Sequence, residues 1–153
     1  MADPTVFKNA YIALTTSTAS TTYLEMPGVK SISIPFSKAE LPNGVMGDSA
    51  EVFHPGLISV PISVTMRQDF TTTVSASGGS DKLLWGLFNG ETKVKMKVRA
   101  VDTTVSGTNP SYIMGPVGVF SFTPLDGSHG TLLEQKAEFR LRSPVTITRS
   151  TST

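Results

Sequence analysis

The sequence predicts a mainly β domain: an antiparallel β-sandwich or barrel, one short flanking α-helix at about 81–88, and a long loop at about 37–57. Three observations carry that expectation. Apolar and polar residues alternate with period two through most of the chain, which is the mark of half-buried strands. Serine and threonine fill about a quarter of the positions, beside 13 glycines and 10 prolines, a composition suited to strands and turns. Only one segment switches to helical spacing. At 153 residues the chain is expected to form a single domain, 1–153, able to bury a core without covalent staples.

The strands follow in order. Residues 5–14, "TVFKNAYIAL", read as the first, and "TYLEM" (22–26) as a short second one. "GVKSISIPF" (28–36) places Ile32, Ile34 and Phe36 on one face. "LISVPISVTMRQDF" (57–70) is the longest alternation, with Ile58, Val60, Ile62, Val64 and Met66 sharing a face. Pro35 and Pro61 cannot donate to a ladder, so their strands belong at an edge or a bulge. "ETKVKMKVRAV" (91–101), "YIMGPVGVFSFTPL" (112–125) and "KAEFRLRSPVTIT" (136–148) bring the set to about seven.

The helix is expected from Asp81 to Phe88, with Ser80 as N-cap and Gly90 as the stop. Leu83/Leu87 and Leu84/Phe88 are i,i+4 pairs, and Trp85 lies between them. A helix this short needs a large apolar partner. Leu83, Leu84, Trp85, Leu87 and Phe88 surround more of its circumference than one sheet face requires. The loop at 37–57 has the same excess: Leu41, Val45, Met46, Val52 and Phe53 stand among prolines and glycines without periodicity. Long irregular loops in compact domains are generally functional or mobile. Its apolar residues have no obvious partner in the chain, so disorder before assembly is expected.

Charge narrows the choice of function. The absence of cysteine excludes disulfides, thiol catalysis and thiolate metal sites. No run approaches the ~20 apolar residues of a membrane span, and "MADPTVFKNAYIAL" lacks the pattern of a signal peptide, so cytoplasmic synthesis is expected. His54 and His129 lie in turn-like contexts, "FHPG" and "DGSHG", without a nucleophile elbow or a second ligand cluster. No catalytic, cofactor or metal site is expected, and the chain reads as a non-enzyme.

Lys93, Lys95, Lys97 and Arg99 occupy alternate positions, with Val94, Met96 and Val98 between them. Taken with "EQKAEFRLR" (134–142), the two strands hold seven basic and three acidic residues, net +4, which leaves −3 for the rest of a chain of formal charge +1. The stripe strand carries no aromatic for base stacking. Its charged face therefore reads as a solvated or subunit-facing surface, with Glu134 or Glu138 as cross-strand partners.

This order of parts resembles the major tail tube protein of long-tailed, non-contractile bacteriophages. The resemblance lies in the strand with Ile32, Ile34 and Phe36 leading into the long loop, and in "GLISVPISVTM" after it. It continues in the apolar helix "SDKLLWGLFNG" ending in glycine, "ETKVKMKVRAV" directly beyond, and a closing pair of strands within 115–148. Nearly the whole chain is covered. The resemblance implies a structural virion protein in stacked hexameric rings that form a hollow tube for DNA. It implies assembly in the host cytoplasm, with the tape measure protein, tail terminator and distal tail proteins as partners. The loop residues Leu41, Val45, Met46, Val52 and Phe53 would then reach a neighbouring ring or subunit, and Leu83, Leu84, Trp85, Leu87 and Phe88 would pack at a subunit interface. A bore that lets DNA slide cannot hold four cations at phosphate distance, so Lys93, Lys95, Lys97 and Arg99 are expected to point outward or into an interface. Rival readings are a head decoration or head–tail joining protein, and a monomeric β-sandwich binding module.

Overall fold

In the computed structural model, residues 10–44, 53–70 and 79–151 are described. Nine strands and one helix occur among them: β1 (Tyr11–Leu14), β2 (Leu24–Glu25), β3 (Val29–Ser33), β4 (Ser37–Pro42), β5 (Phe53–Ser59), β6 (Ile62–Arg67), α1 (Ser80–Asn89), β7 (Val94–Arg99), β8 (Ser111–Asp126) and β9 (Glu134–Ser150). Seven strands form one antiparallel sheet in the order β2-β1-β7-β8-β9-β6-β3. The sheet curls into a half-barrel, and α1 closes its concave side. The expectation of a mainly β fold with one short helix holds, realised as one curved seven-stranded sheet and a separate two-stranded one, β4–β5.

The period-two code dictates which face is filled. In β7, Val94, Met96 and Val98 are buried while the residues between them are half-buried on the opposite face. Ile62, Val64 and Met66 join them from β6, paired to β9, with Val60 just before it, and Phe139 opposite Ile62 is 1% exposed. Met26, Met66, Met96 and Met114 are all buried; flexible thioethers fill the irregular space inside a strongly curved sheet.

Two expectations are corrected here. The alternation at 57–70 is not one strand. It breaks at Val60–Pro61, and Ile58 stands in the solvent on a different sheet from Ile62. The segment 37–57 is also not an irregular loop. Its described ends pair as β4 and β5, with Leu41 opposite His54 and Pro42 opposite Phe53. Residues 45–52, with Val45, Met46 and Val52, lie outside the described residues. Pro35 and Pro61 sit together where this ribbon leaves the sheet, because neither can donate to a continuing ladder. Within the ribbon, Gly56 runs close to β4: a Cβ there would stand 3.1 Å from the side chain and carbonyl of Ala39.

The helix is one residue longer at each end than expected, and it begins differently. Gly79, in the left-handed region at φ 81°, occupies the N-cap in place of Ser80. Asp69 Oδ2 accepts from the Gly79 N–H at 2.9 Å, and the buried Ser80 hydroxyl accepts from Gln135 Nε2 at 2.6 Å. The helix start is thus tied to the segment just after β6 and to β9. Gly90 is the C-cap as expected, but the left-handed residue that ends the turn is Glu91, at φ 49°.

The body and the ribbon should respond oppositely to truncation. Phe139→Ala is expected to lower the unfolding free energy of the soluble chain by about 3–5 kcal/mol, and Phe53→Ala by no more than about 0.5 kcal/mol. Urea denaturation followed by circular dichroism checks both; similar losses would contradict the division.

Candidate assembly surfaces

Among the described residues, three surfaces stand out once the core is filled. The first is the β4–β5 ribbon. Every residue of its two strands is exposed except the partly covered Gly56. Leu41, Phe53, Leu57 and Ile58 are 53%, 48%, 87% and 40% exposed. An isolated two-stranded hairpin is marginal in water. His54, expected in a turn, lies on β5 with its Nε2 2.8 Å from Asn43 Nδ2. His129 lies in the exposed turn between β8 and β9. Among the described residues no cluster of His, Asp or Glu could hold a metal ion.

The second surface surrounds the helix. Leu83, Leu84 and Leu87 are buried against the sheet, whereas Trp85 and Phe88 face out and pack against each other, ring centres 6.2 Å apart. Of the five apolar helix residues singled out in the sequence, three belong to the core and two remain uncovered. Past the helix start lies a group that the sequence reading missed: Phe70, Leu125, Leu132 and Leu133. They crowd the end where β6 stops and the β8–β9 turn closes. A hollow of about 330 Å³ there is lined by Arg67, Gln68, Phe70, Thr131, Leu132 and Leu133. Its floor is fixed by Gln68, whose N–H donates to the Leu133 carbonyl at 3.1 Å and whose Nε2 donates to the Pro124 carbonyl at 2.6 Å. The doublet Leu132–Leu133 in a turn with no periodicity was the available signal.

The third surface is the convex face that carries the basic stripe. Lys95, Lys97 and Arg99 lie on it opposite the core, only half exposed. β1 and the segment before β2 supply what β7 lacks. Tyr11 stands opposite Arg99, whose guanidinium lies 4.0 Å from the ring centre, and Lys97 lies over Tyr23 at 5.7 Å. Arg99 also donates to the Thr103 carbonyl at 2.8 Å and pairs with Asp102 at 3.1 Å. Two glycines of β8 let long cationic side chains lie flat. A Cβ on Gly115 would come within 3.1 Å of Lys95, and one on Gly118 within 2.9 Å of Arg142. Lys93 Nζ reaches the Ser143 carbonyl at 3.3 Å, and Arg142 donates to the Glu91 carbonyl at 3.1 Å.

The expected acid partners of the stripe are not there. β8 separates β7 from β9, so Glu138 stands opposite Ser63 and Ser121, and Glu134 pairs with Lys30 at the sheet edge. Strand order decides cross-strand partners, and alternation alone does not reveal order.

No family model matches the sequence. No curated protein matches it either. Solved structures do match. A subunit of the SPP1 tail tube superposes with a TM-score of 0.70 over 97% of this chain and 80% of that one, at 9% identity. A chain from the tail of an empty gene transfer agent particle, refined with C6 symmetry, gives 0.65 over 90% and 94%, at 16% identity. A chain from the sheath/tube terminator of an extracellular contractile injection system gives 0.67 over 96% and 98%, at 12% identity. This chain has the tail tube protein fold. At such low identities the likeness resides in the path of the backbone. In this tail tube fold, the ribbon, the helix face with its adjoining hollow, and the basic face are exposed among the described residues.

Ionisation at the end of the basic face is open to test. Burial raises the Glu25 carboxyl above its ordinary value, Asp102 adds to this, and Arg99 opposes it. A carboxyl raised in the fold stabilises it while protonated, and that contribution is lost as pH rises through the folded value. Glu25→Gln is therefore expected to unfold at a slightly higher temperature than the parent chain at pH 7, by less than about 1 kcal/mol given its exposure. The difference should vanish below about pH 4. A lower midpoint at pH 7 would contradict this assignment.

Proposed function

We propose that this chain is the structural subunit of a phage tail tube, assembling with copies of itself into stacked hexameric rings around a bore through which DNA passes. The observation that carries the proposal is the β4–β5 ribbon, a two-stranded element set on a tail tube fold, whose apolar residues stand exposed among the described residues. Such a ribbon gains a core only from a neighbour. Contact between two unlike surfaces repeats from copy to copy, closing into a ring or running on as a filament. Leu41 and Phe53 on the ribbon, with Val45, Met46 and Val52 in its connecting segment, are the inter-ring or inter-subunit residues of this reading. Trp85 and Phe88 contribute the uncovered side of the helix, which Leu83, Leu84 and Leu87 hold in place from within.

The role is structural and not enzymatic. Lys93, Lys95, Lys97 and Arg99 face outward or a neighbouring subunit in this account, since cations lining a bore would retain DNA phosphates. The partners are further copies of the chain, a tape measure protein within the tube, and terminator and distal tail proteins at its ends. The location is the virion tail, reached after assembly in the host cytoplasm.

Negative-stain electron microscopy of the purified chain over a range of concentrations tests the reading. Hollow tubes or stacked six-fold rings are expected. Phe53→Asp should leave the circular dichroism spectrum unchanged and abolish the tubes, with subunits remaining soluble. A parent chain that stays monomeric or trimeric at every concentration, and also when mixed with preformed tube ends, would overturn the proposal.

A further inference from the structure

The ribbon and the hollow at the β8–β9 turn lie at opposite ends of one strand. β6 starts at Ile62, just after the ribbon rejoins the sheet, and ends at Arg67, which forms the rim of the hollow. Five steps of about 3.3 Å separate them by about 17 Å. Both carry large apolar residues that stand exposed among the described residues: Phe53 and Ile58 on the ribbon, Phe70, Leu132 and Leu133 at the hollow.

Their chemistry matches in two respects. By cross-strand pairing, Pro42, Phe53, Pro55 and Ile58 share one face of the ribbon with Lys38 and Glu40. The hollow, at about 330 Å³, could take about two benzene-sized groups, since a ~150 Å³ cavity holds one. Its walls are Phe70, Leu132 and Leu133, and its floor is pinned by Gln68. The charges also complement each other. Glu40 on that ribbon face and Arg67 on the rim each have no ion-pair partner among the described residues. Of the other charges at this end, Asp126 pairs with Lys136 and Glu134 with Lys30, while Asp69 accepts from the Gly79 N–H and Asp81 from the Gln68 amide. On the helix face, Trp85 and Phe88 are 54% and 39% exposed and pack against each other.

We propose that the Phe53 face of the ribbon of one copy seats in the Phe70–Leu132–Leu133 hollow of the next, with Glu40 placed against Arg67. The inference rests on the tube reading and names the socket within it. The contact is head-to-tail: each copy offers a ribbon at one end of β6 and a hollow at the other, so the interaction propagates without limit along a row of subunits.

The chain has no cysteine, so engineered pairs report cleanly. Tubes of a chain carrying both Phe53→Cys and Leu132→Cys, treated with a short bis-maleimide, should give a ladder of multimers on a denaturing gel. A mixture of the two single variants should stop at dimers, and each single variant alone should give monomer. Intact tubes without a ladder would overturn the inference, as would a ladder that appears only when the second cysteine is moved to Trp85→Cys. Charge exchange provides a second readout if the cysteine variants fail to assemble. Glu40→Arg or Arg67→Glu alone should raise the concentration needed for tubes by roughly tenfold, and the double variant should restore it. A double variant no better than the worse single one overturns the proposal. If the parent chain forms no tubes at all, the tube reading falls and this contact with it, a result distinct from tubes that form without the cross-link.

Discussion

A two-stranded ribbon has no interior: each side chain lies on one of two faces, and unless something covers a face its apolar residues stay in water. The β4–β5 ribbon is in that position, and much else in the molecule follows from it. The sheet has to let go of two strands it was pairing, which places Pro35 and Pro61 at the point of departure. The body must be stable without the ribbon, so the core is drawn from β1 and β6 to β9 together with the helix. Where the chain leaves and rejoins the sheet, Ile34 and Val60 turn back against that core.

The body meets this demand with a sheet curved enough to surround its own core. Four buried methionines and the buried inner face of α1 fill the concave side, and Gln135, itself fully buried, ties the helix start to β9 through Ser80. The convex side is organised too. Gly115 and Gly118 keep β8 low so that Lys95 and Arg142 can lie across it, and Tyr11 and Tyr23 cover the stems and charges of Arg99 and Lys97. Cations held over rings and capped by carbonyl oxygens are fixed in direction, unlike a freely solvated fringe of lysines.

Much of this was legible in the sequence, for reasons that can be traced to particular residues. Period-two spacing identified the central strands of the seven-stranded sheet because one face of each is buried, and the i,i+4 pairs of Leu83, Leu84, Leu87 and Phe88 identified the helix. The same spacing misled at 57–70. Alternation continues smoothly from Ile58 to Met66 although the backbone changes sheets at Pro61, because the ribbon's faces alternate as well. Three features could not be read at all without the pairing. The partners of the basic stripe depend on β8 lying between β7 and β9. The start of the helix depends on Asp69, ten residues before Gly79. The hollow at Phe70, Leu132 and Leu133 is assembled from two distant turns, neither of which has a period to notice.

The central claim is that the ribbon is completed only by another copy of the chain. Hydrogen exchange measured on the dilute subunit and again on the assembled protein tests it most directly. The account predicts that amides of Ser37–Pro42 and Phe53–Ser59 exchange within seconds in the subunit, while those of β6 to β9 are protected, and that assembly slows the ribbon by several orders of magnitude. Equal protection of the ribbon before and after assembly would contradict it.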